Sequence, residues 1–299
     1  MPDAEPLVTI GVPTFQRRDM LPRAVRSLLR QTHRNIEVTV YDNASTDGTE
    51  ELVRELARDD ERLRYVRRDR NIGPEANMDD AIRRGEGEFT MLLADDDWIA
   101  DDYVKRCLAE LLSRPDLSVA AGRPHYMRDE TEVPFGARME TLDSDPAKRV
   151  LAYFEAVDDN APFYGVIRRS AVEAQPPMRR VLGFDWLWVA GLAFTGGIAR
   201  VEDAALFREL GGASESTEAN IRTSGLPRAH AKIPHLVIGR EVFAEIGWRS
   251  PVYASLSRGE RLGLAARCAW SVPRRNARHV AFHLLPARIQ PWVSQKVHR

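Results

Sequence analysis

Met91-Leu92-Leu93-Ala94 runs directly into Asp95-Asp96-Asp97. Strongly apolar runs of this kind read as buried strands. Three adjacent carboxylates repel one another, so a strand gains no stability by ending in them. They make sense beside a positive charge. Magnesium and manganese take hard oxygen ligands and commonly share them with phosphate. The run therefore predicts a buried strand with a metal–diphosphate site at its carboxyl end, the edge where open α/β sheets bind ligands. An Asp that caps the next helix explains one of the three, not all.

The flanking sequence repeats the strand–helix theme. Apolar runs at Leu7–Val12, Ile36–Tyr41, Leu63–Val66 and Phe89–Ala94 alternate with helical periodicity near Leu21–Arg30, from Asp47 to Arg58 and over Pro74–Arg84. Asp47 and Glu50 have the spacing of a capping box. A helix over Asp101–Ser113 and a strand at Leu117–Ala121 follow. Such alternation predicts an α/β fold with a mostly parallel, Rossmann-like sheet and right-handed crossovers. Beyond it, 123–146 reads as loop with one hairpin. A helix is expected from Pro146, a strand at Phe163–Ile167, an apolar helix at Asp185–Phe194 and a mobile loop over Gly211–Gly225. The divisions expected are 1–120 for nucleotide-sugar binding, 121–225 for acceptor and base in the same domain, and 226–299 as a helical, basic extension.

Composition removes several classes. The 299 residues suffice for a large core. Charged residues make up 29% and nearly cancel, so a nucleic-acid partner is not expected. Cys107 and Cys268 lack metal or redox spacing and fit a reducing compartment. The N-terminus does not read as a signal peptide, and no apolar run reaches membrane-spanning length. A cytoplasmic setting is expected.

In a parallel sheet, the carboxyl ends of the strands share one edge. Four loops there carry unusual residues: Pro13-Thr14-Phe15-Gln16-Arg17, Asp42-Asn43-Ala44-Ser45, Arg70-Asn71-Ile72-Gly73 and Asp95-Asp96-Asp97. Alone, Arg17 reads as a surface charge and Asn71-Ile72-Gly73 as a turn. Together they place arginine, amides and carboxylates where a nucleotide and its metal would sit.

These motifs, with Val8–Phe15, Gln31-Thr32 and Asp42–Thr49, resemble in order and spacing those of family 2 glycosyltransferases. The resemblance is firm over roughly the first 120 residues and looser to about Ser214. It implies an A-type glycosyltransferase fold, a nucleotide-diphosphate sugar donor with UDP favoured over GDP or dTDP, a divalent cation (Mg2+ or Mn2+) and inversion by direct displacement. By position, Pro13, Thr14 and Arg17 would line the nucleoside pocket, with Asp42 beside them. Asn43 stands where the family often has a base-contacting Asp; an amide can both donate and accept. Asn71 would approach the base or ribose, Asp95 and Asp96 the sugar or ribose, and Asp97 the metal, with the register within the triplet open by one residue.

Inverting transfer also needs a base to accept the acceptor's proton. The resemblance points to Asp185, in Gly183-Phe184-Asp185-Trp186; an N-cap role is compatible with that. Asp158 and Asp159 are weaker rivals. Trp186 and Trp188 suit a sugar platform or, more commonly, core. His230 and His235 lie roughly where related enzymes place a metal-binding histidine, although surface positions explain them as well. The processive Gln-x-x-Arg-Trp motif is missing from the sequence, which favours transfer of a single sugar to a glycan, lipid-linked or small-molecule acceptor.

Arg258, Arg261, Arg267, Arg274, Arg275, Arg278 and Arg288 alternate with apolar residues in the last stretch. This fits either peripheral contact with an anionic inner membrane face or a packed helical cap. Two other classes remain open: a nucleotidyltransferase, which would usually carry a Gly-rich loop after the first strand, and an inactive nucleotide- or glycan-binding module, which would be expected to have lost its carboxylates.

Overall fold

The computed structural model describes residues 5–128, 130–133, 139–158, 160–210 and 217–275. Its first half is a parallel βα array. Strands β1 (Val8–Thr14), β2 (Ile36–Asp42), β3 (Leu63–Arg67) and β4 (Phe89–Leu92) alternate with helices α1 (Leu21–Leu29), α2 (Thr49–Leu56) and α3 (Pro74–Arg83). β1 lies between β2 and β4, and β2 also pairs with β3, all in parallel.

The second half contains β5 (Trp98–Ile99), α4 (Tyr103–Ser113), β6 (Leu117–Arg128), β7 (Thr131–Val133), α5 (Pro146–Ala156), β8 (Val166–Arg168) and α6 (Arg169–Glu173). After these come α7 (Phe184–Thr195), β9 (Gly197–Glu209), α8 (Thr217–Thr223), α9 (Pro234–Ala244) and α10 (Arg258–Arg275). The strand order is β3-β2-β1-β4-β8-β6-β9-β5, with β7 paired to β6. β8 enters antiparallel between β4 and β6, so the expected α/β sheet is parallel in its first half and mixed in its second.

Successive residues of β4, with Leu93 just beyond it, divide the core. Met91 and Leu93 pack with α1 and α4, whereas Leu92 joins the cluster containing α5, α7, α9 and α10. This follows from the period-two alternation of a strand buried on both faces. Leu264, Ala265, Cys268 and Val272 bring α10 into the second cluster.

Gly11 sets how closely α3 approaches β1. A Cβ there would lie 2.3 Å from the Ala81 carbonyl oxygen, against backbone that cannot rotate away. Gly11→Ala is therefore expected to destabilise the fold by about 1–3 kcal/mol, the scale of overpacking. Urea denaturation checks this; an unchanged midpoint would show that the helix shifts freely.

The elements differ from expectation in instructive places. The capping box does not form, because Gly48 at φ +87° is the N-cap of α2. Asp47 instead accepts from the Thr49 N–H and hydroxyl, and Glu50 pairs with Arg54. β6 runs seven residues past Ala121 and forms the hairpin with β7. Tyr164 ends a 3-10 turn, Ala161–Tyr164, and is not part of a strand. Within 211–225, residues 217–223 form α8, anchored by buried Ile221; 211–216 lie outside the described residues. Arg278, Arg288 and Asp159 lie outside them too.

Candidate active site

The loops after β1, β2 and β4, the turn before α3, and α8 enclose a cavity of about 470 Å3. That is the usual size of a small-molecule site. Pro13, Thr14, Arg17, Asn43, Asn71 and Asp95 all line it. Six of the residues singled out in the sequence thus meet around one space.

Hydrogen bonds hold the β1 and β2 loops together. Gln16 (φ +57°) and Ala44 (φ +69°) adopt left-handed backbone that costs a non-glycine residue about 1–2 kcal/mol. The Gln16 N–H donates to Ser45 Oγ at 2.9 Å, and the Thr46 N–H donates to Gln16 Oε1 at 3.1 Å. Strain of this kind persists where the surroundings over-determine it, often at binding sites.

Asn43 uses both ends of its amide. Its Nδ2 donates to Asn71 Oδ1 at 3.0 Å, and its Oδ1 accepts from the Ile72 N–H at 2.8 Å. An Asp could only accept, so the amide fastens the Asn71–Gly73 turn to the β2 loop. Asp42 does not line the cavity. It is fully buried, accepting from the Ser45 N–H at 2.9 Å and from the Tyr65 hydroxyl at 2.5 Å.

Asp95 is buried and accepts from Thr14 Oγ1 at 2.7 Å, which ties β4 to β1 at the cavity floor. Burial and the adjacent Asp96 push its carboxyl up to about 7. Asp97 is 3% exposed. Its Oδ1 accepts from the Glu209 N–H at 3.1 Å, and its Oδ2 faces Arg208 Nε at 3.4 Å. Burial raises it to about 7, against the opposing pull of Arg208. From the other side, Arg23 braces the triplet. It donates to the Asp96 carbonyl at 3.0 Å, pairs with Glu209 at 2.8 Å and lies 3.6 Å over Trp98.

Asp185 sits in the first turn of α7, after Gly183 in left-handed conformation at φ +78°. Asn160 Nδ2 donates to Asp185 Oδ2 at 3.0 Å, and the Tyr153 hydroxyl donates to Asn160 Oδ1 at 2.7 Å. Tyr153 thereby fixes which end of the Asn160 amide meets the carboxylate. Burial raises the Asp185 carboxyl, while the Asn160 hydrogen bond and Arg208 act the other way. Arg208 therefore acts on Asp97 at contact distance and more weakly on Asp185, and Tyr164, whose phenol burial raises, feels Asp97, Asp96 and Asp185. The carboxylate triplet and Asp185 share one electrostatic neighbourhood.

The rivals fall elsewhere. Asp158 pairs with Arg275. Trp188 is core, edge-on to Phe163 at 5.7 Å. His230 and His235 are outside the cavity lining. Three residues absent from the strand-end loops join the site in space. Asn160 and Arg208 contact its acids, and Arg222 of α8 lines the cavity.

Among the described residues, no group of three or more His, Cys, Asp or Glu forms a cation cage. Magnesium and manganese need less. They bind through one or two carboxylates plus substrate phosphates and keep several waters. Asp96 and Asp97 are not among the residues lining the cavity; Asp97 stands two residues past Asp95, which does line it, and would be the one hard-oxygen donor of such a partial set.

The sequence pattern of glycosyl transferase family 2 matches residues 9–175. The GalNAc(5)-diNAcBac-PP-undecaprenol beta-1,3-glucosyltransferase of Campylobacter jejuni is 34% identical over 93 residues, 31% of this chain and 30% of that protein. The match thus spans under a third of that relative's length. S. aureus TarS 1-349, in complex with UDP-GlcNAc, superimposes with a TM-score of 0.67 at 18% identity, covering 95% of this chain and 77% of that one. The mannosyltransferase PcManGT from Pyrobaculum calidifontis, in complex with GDP-Man and Mn2+, gives 0.55 at 16% identity, covering 99% and 81%. The two structures share the fold, and the family pattern covers more than half of the chain, including the β1, β2 and β4 loops that build the cavity. The chain belongs to glycosyl transferase family 2.

Proposed function

We propose that the chain is an inverting glycosyltransferase that moves one sugar from a nucleotide-diphosphate sugar, UDP preferred, to an acceptor hydroxyl, with help from a divalent cation. The observation that carries this is the continuity of the site. Asp95 lines the cavity two residues before Asp97, Arg208 contacts Asp97 at 3.4 Å, and the charge of Arg208 reaches Asp185 more weakly. Donor pocket, cation ligand and base are then neighbours. The TarS and PcManGT complexes, with UDP-GlcNAc and with GDP-Man and Mn2+, support the donor class and the metal.

In the proposed reaction, Pro13, Thr14, Arg17, Asn71 and Arg222 enclose the nucleotide, and Asp95 and Asp96 face the sugar or ribose. Asp97, with the diphosphate, would hold Mg2+ or Mn2+, which supplies charge stabilisation to the departing diphosphate. Asp185 accepts the acceptor's hydroxyl proton. The freed oxygen forms a bond to the anomeric carbon as the carbon–oxygen bond to the diphosphate breaks, which inverts the centre. Asn160 leaves Asp185 Oδ1 free of its own contact and stabilises the carboxylate form. The free, buried thiols Cys107 and Cys268 fit the proposed cytoplasmic setting.

The test is release of UDP from UDP-GlcNAc, with water as acceptor, in manganese and in EDTA. Release in manganese alone supports the reading. Binding of a nucleotide sugar with no release in either condition would favour an inactive binding module.

Asn160→Ala is expected to move the acid limb of the rate profile to higher pH. A carboxylate that loses its donor is harder to ionise, so the working base appears only at higher pH. Activity should fall most below neutrality and recover partly above it. A uniform loss across pH would assign Asn160 to scaffolding alone.

A further inference from the structure

The outer faces of α9 and α10, with the helical turn Glu245–Arg249 that follows α9, carry an exposed apolar and cationic surface that donor chemistry does not use. Trp248 is 59% exposed and Trp270 67%, with Leu236 and Leu262 also exposed. Between the two helices runs a groove of about 600 Å3 lined by Leu236, Phe243, Trp248 and Pro273. Leu262 and Trp270 are two helical turns apart, on one face of α10. A contiguous exposed apolar patch on a monomer marks an interaction surface more often than single exposed residues do.

The charge around these residues is one-sided. Helix α10 holds five arginines and one glutamate. Arg258, Arg267 and Arg274 have no carboxylate within ion-pair distance among the described residues. Arg240 and Arg249 share Glu241, which is itself buried, so the acid does not reach the surface. The chain as a whole has net charge −1, so this positive face is a local segregation.

That charge decides between occupants. A symmetric second copy would set the same patch against itself, arginine against arginine. Residues 276–299 contain Arg278, Arg288, Lys296 and Arg299 and no Asp or Glu, so this segment would also meet like charge. An anionic partner is required. Open tryptophans and leucines among arginines match a headgroup interface, where indole rings and cationic tips are both satisfied.

We propose that the outer faces of α9 and α10 dock on an anionic lipid bilayer and present a bilayer-anchored acceptor to Asp185. The second clause rests on the glycosyltransferase reading; the first does not. Ile238, on the opposite side of α9 from Leu236 and Arg240, sits 3.1 Å from where a Cβ of Gly183 would be, two residues before Asp185. The docking face is therefore about one helix diameter, roughly 10 Å, from the loop of the base.

The test is cosedimentation of the full chain with phosphatidylcholine vesicles, with and without one quarter phosphatidylglycerol, alongside tryptophan emission. Binding is expected to the anionic vesicles only, with a blue shift, and to weaken as salt rises. Each arginine near an anionic surface contributes roughly fivefold, so Arg258→Gln/Arg267→Gln/Arg274→Gln should bind about 100-fold more weakly. Trp248→Ser/Trp270→Ser should lose the blue shift. Both variants should keep the wild-type melting temperature and UDP release in solution. Absence of binding, equal binding by the variants, or a wild-type dimer that the tryptophan variants dissolve would each overturn the docking proposal. Vesicle binding without any UDP release would leave docking standing and defeat the transferase reading instead.

Discussion

Asp185→Asn is expected to lower turnover about 100-fold or more, the scale of losing a general base, with UDP affinity unchanged. The substitution is nearly isosteric. Its remaining oxygen can still accept from Asn160 Nδ2, the contact that orients the side chain. Asn also keeps a polar side chain in the first turn of α7. On the proposed mechanism, what disappears is the proton acceptor. Steady-state UDP release and a separate UDP titration divide the two effects. If affinity collapses while turnover holds, Asp185 belongs to the donor pocket and the base must be sought elsewhere.

Asp97→Asn is expected to have an effect at least as large on turnover, for a different reason. An amide is a poor ligand for a hard cation, and a bound cation contributes several kcal/mol of charge stabilisation to a departing diphosphate. Folding should survive. The amide oxygen can accept the Glu209 N–H as Oδ1 does now. Burial and the adjacent Asp96 already disfavour the charge at this position, so removing it relieves a cost while Arg208 loses a partner. The melting temperature should stay within a few degrees of wild type. EDTA-resistant, undiminished turnover in this variant would remove Asp97 from the cation site.

The parallel half of the fold is legible in the sequence because three of its strands, β1, β2 and β4, are buried on both faces. Val8–Val12, Ile36–Tyr41 and Phe89–Leu92 are rich in apolar residues, interrupted only by Thr9, Gly11, Glu37, Thr39 and Thr90, and the loops after them carry the polar residues of the cavity. β9 is not legible in that way. Its apolar positions are interrupted by exposed Glu202 and Asp203, beside a register shift in its pairing with β6 at Gly122 and Arg123. Arg208 lies near the end of this strand, which is why it is missed. The alternation of Ala204, Leu206 and Arg208 is the signal that could have exposed it. Asn160 and Tyr153 reach Asp185 only through the packing of α5 and the 3-10 turn against α7. No spacing rule encodes that. The Gly-, Ser- and Thr-rich stretch before Gly225 reads as loop by composition, yet Ile221 gives α8 an anchor and so places Arg222 on the cavity wall.

Asn43 and Asp42 show where motif position and physical role part. Both stand in the loop after β2. One amide fastens the neighbouring turn while lining the cavity, and the carboxylate one residue earlier is enclosed by Ser45 and Tyr65. Sequence order alone cannot separate a residue facing ligand from one holding the loop that does.

The central claim is that the strand-end carboxylates and the cavity beside them form one cation-dependent nucleotide site. Calorimetric titration of UDP into the full chain, in manganese and in EDTA, for wild type and Asp97→Asn, tests it most directly. The account predicts binding by wild type in manganese, at least tenfold weaker binding in EDTA, and no manganese dependence in the variant. Equal UDP affinity in all four titrations would contradict it.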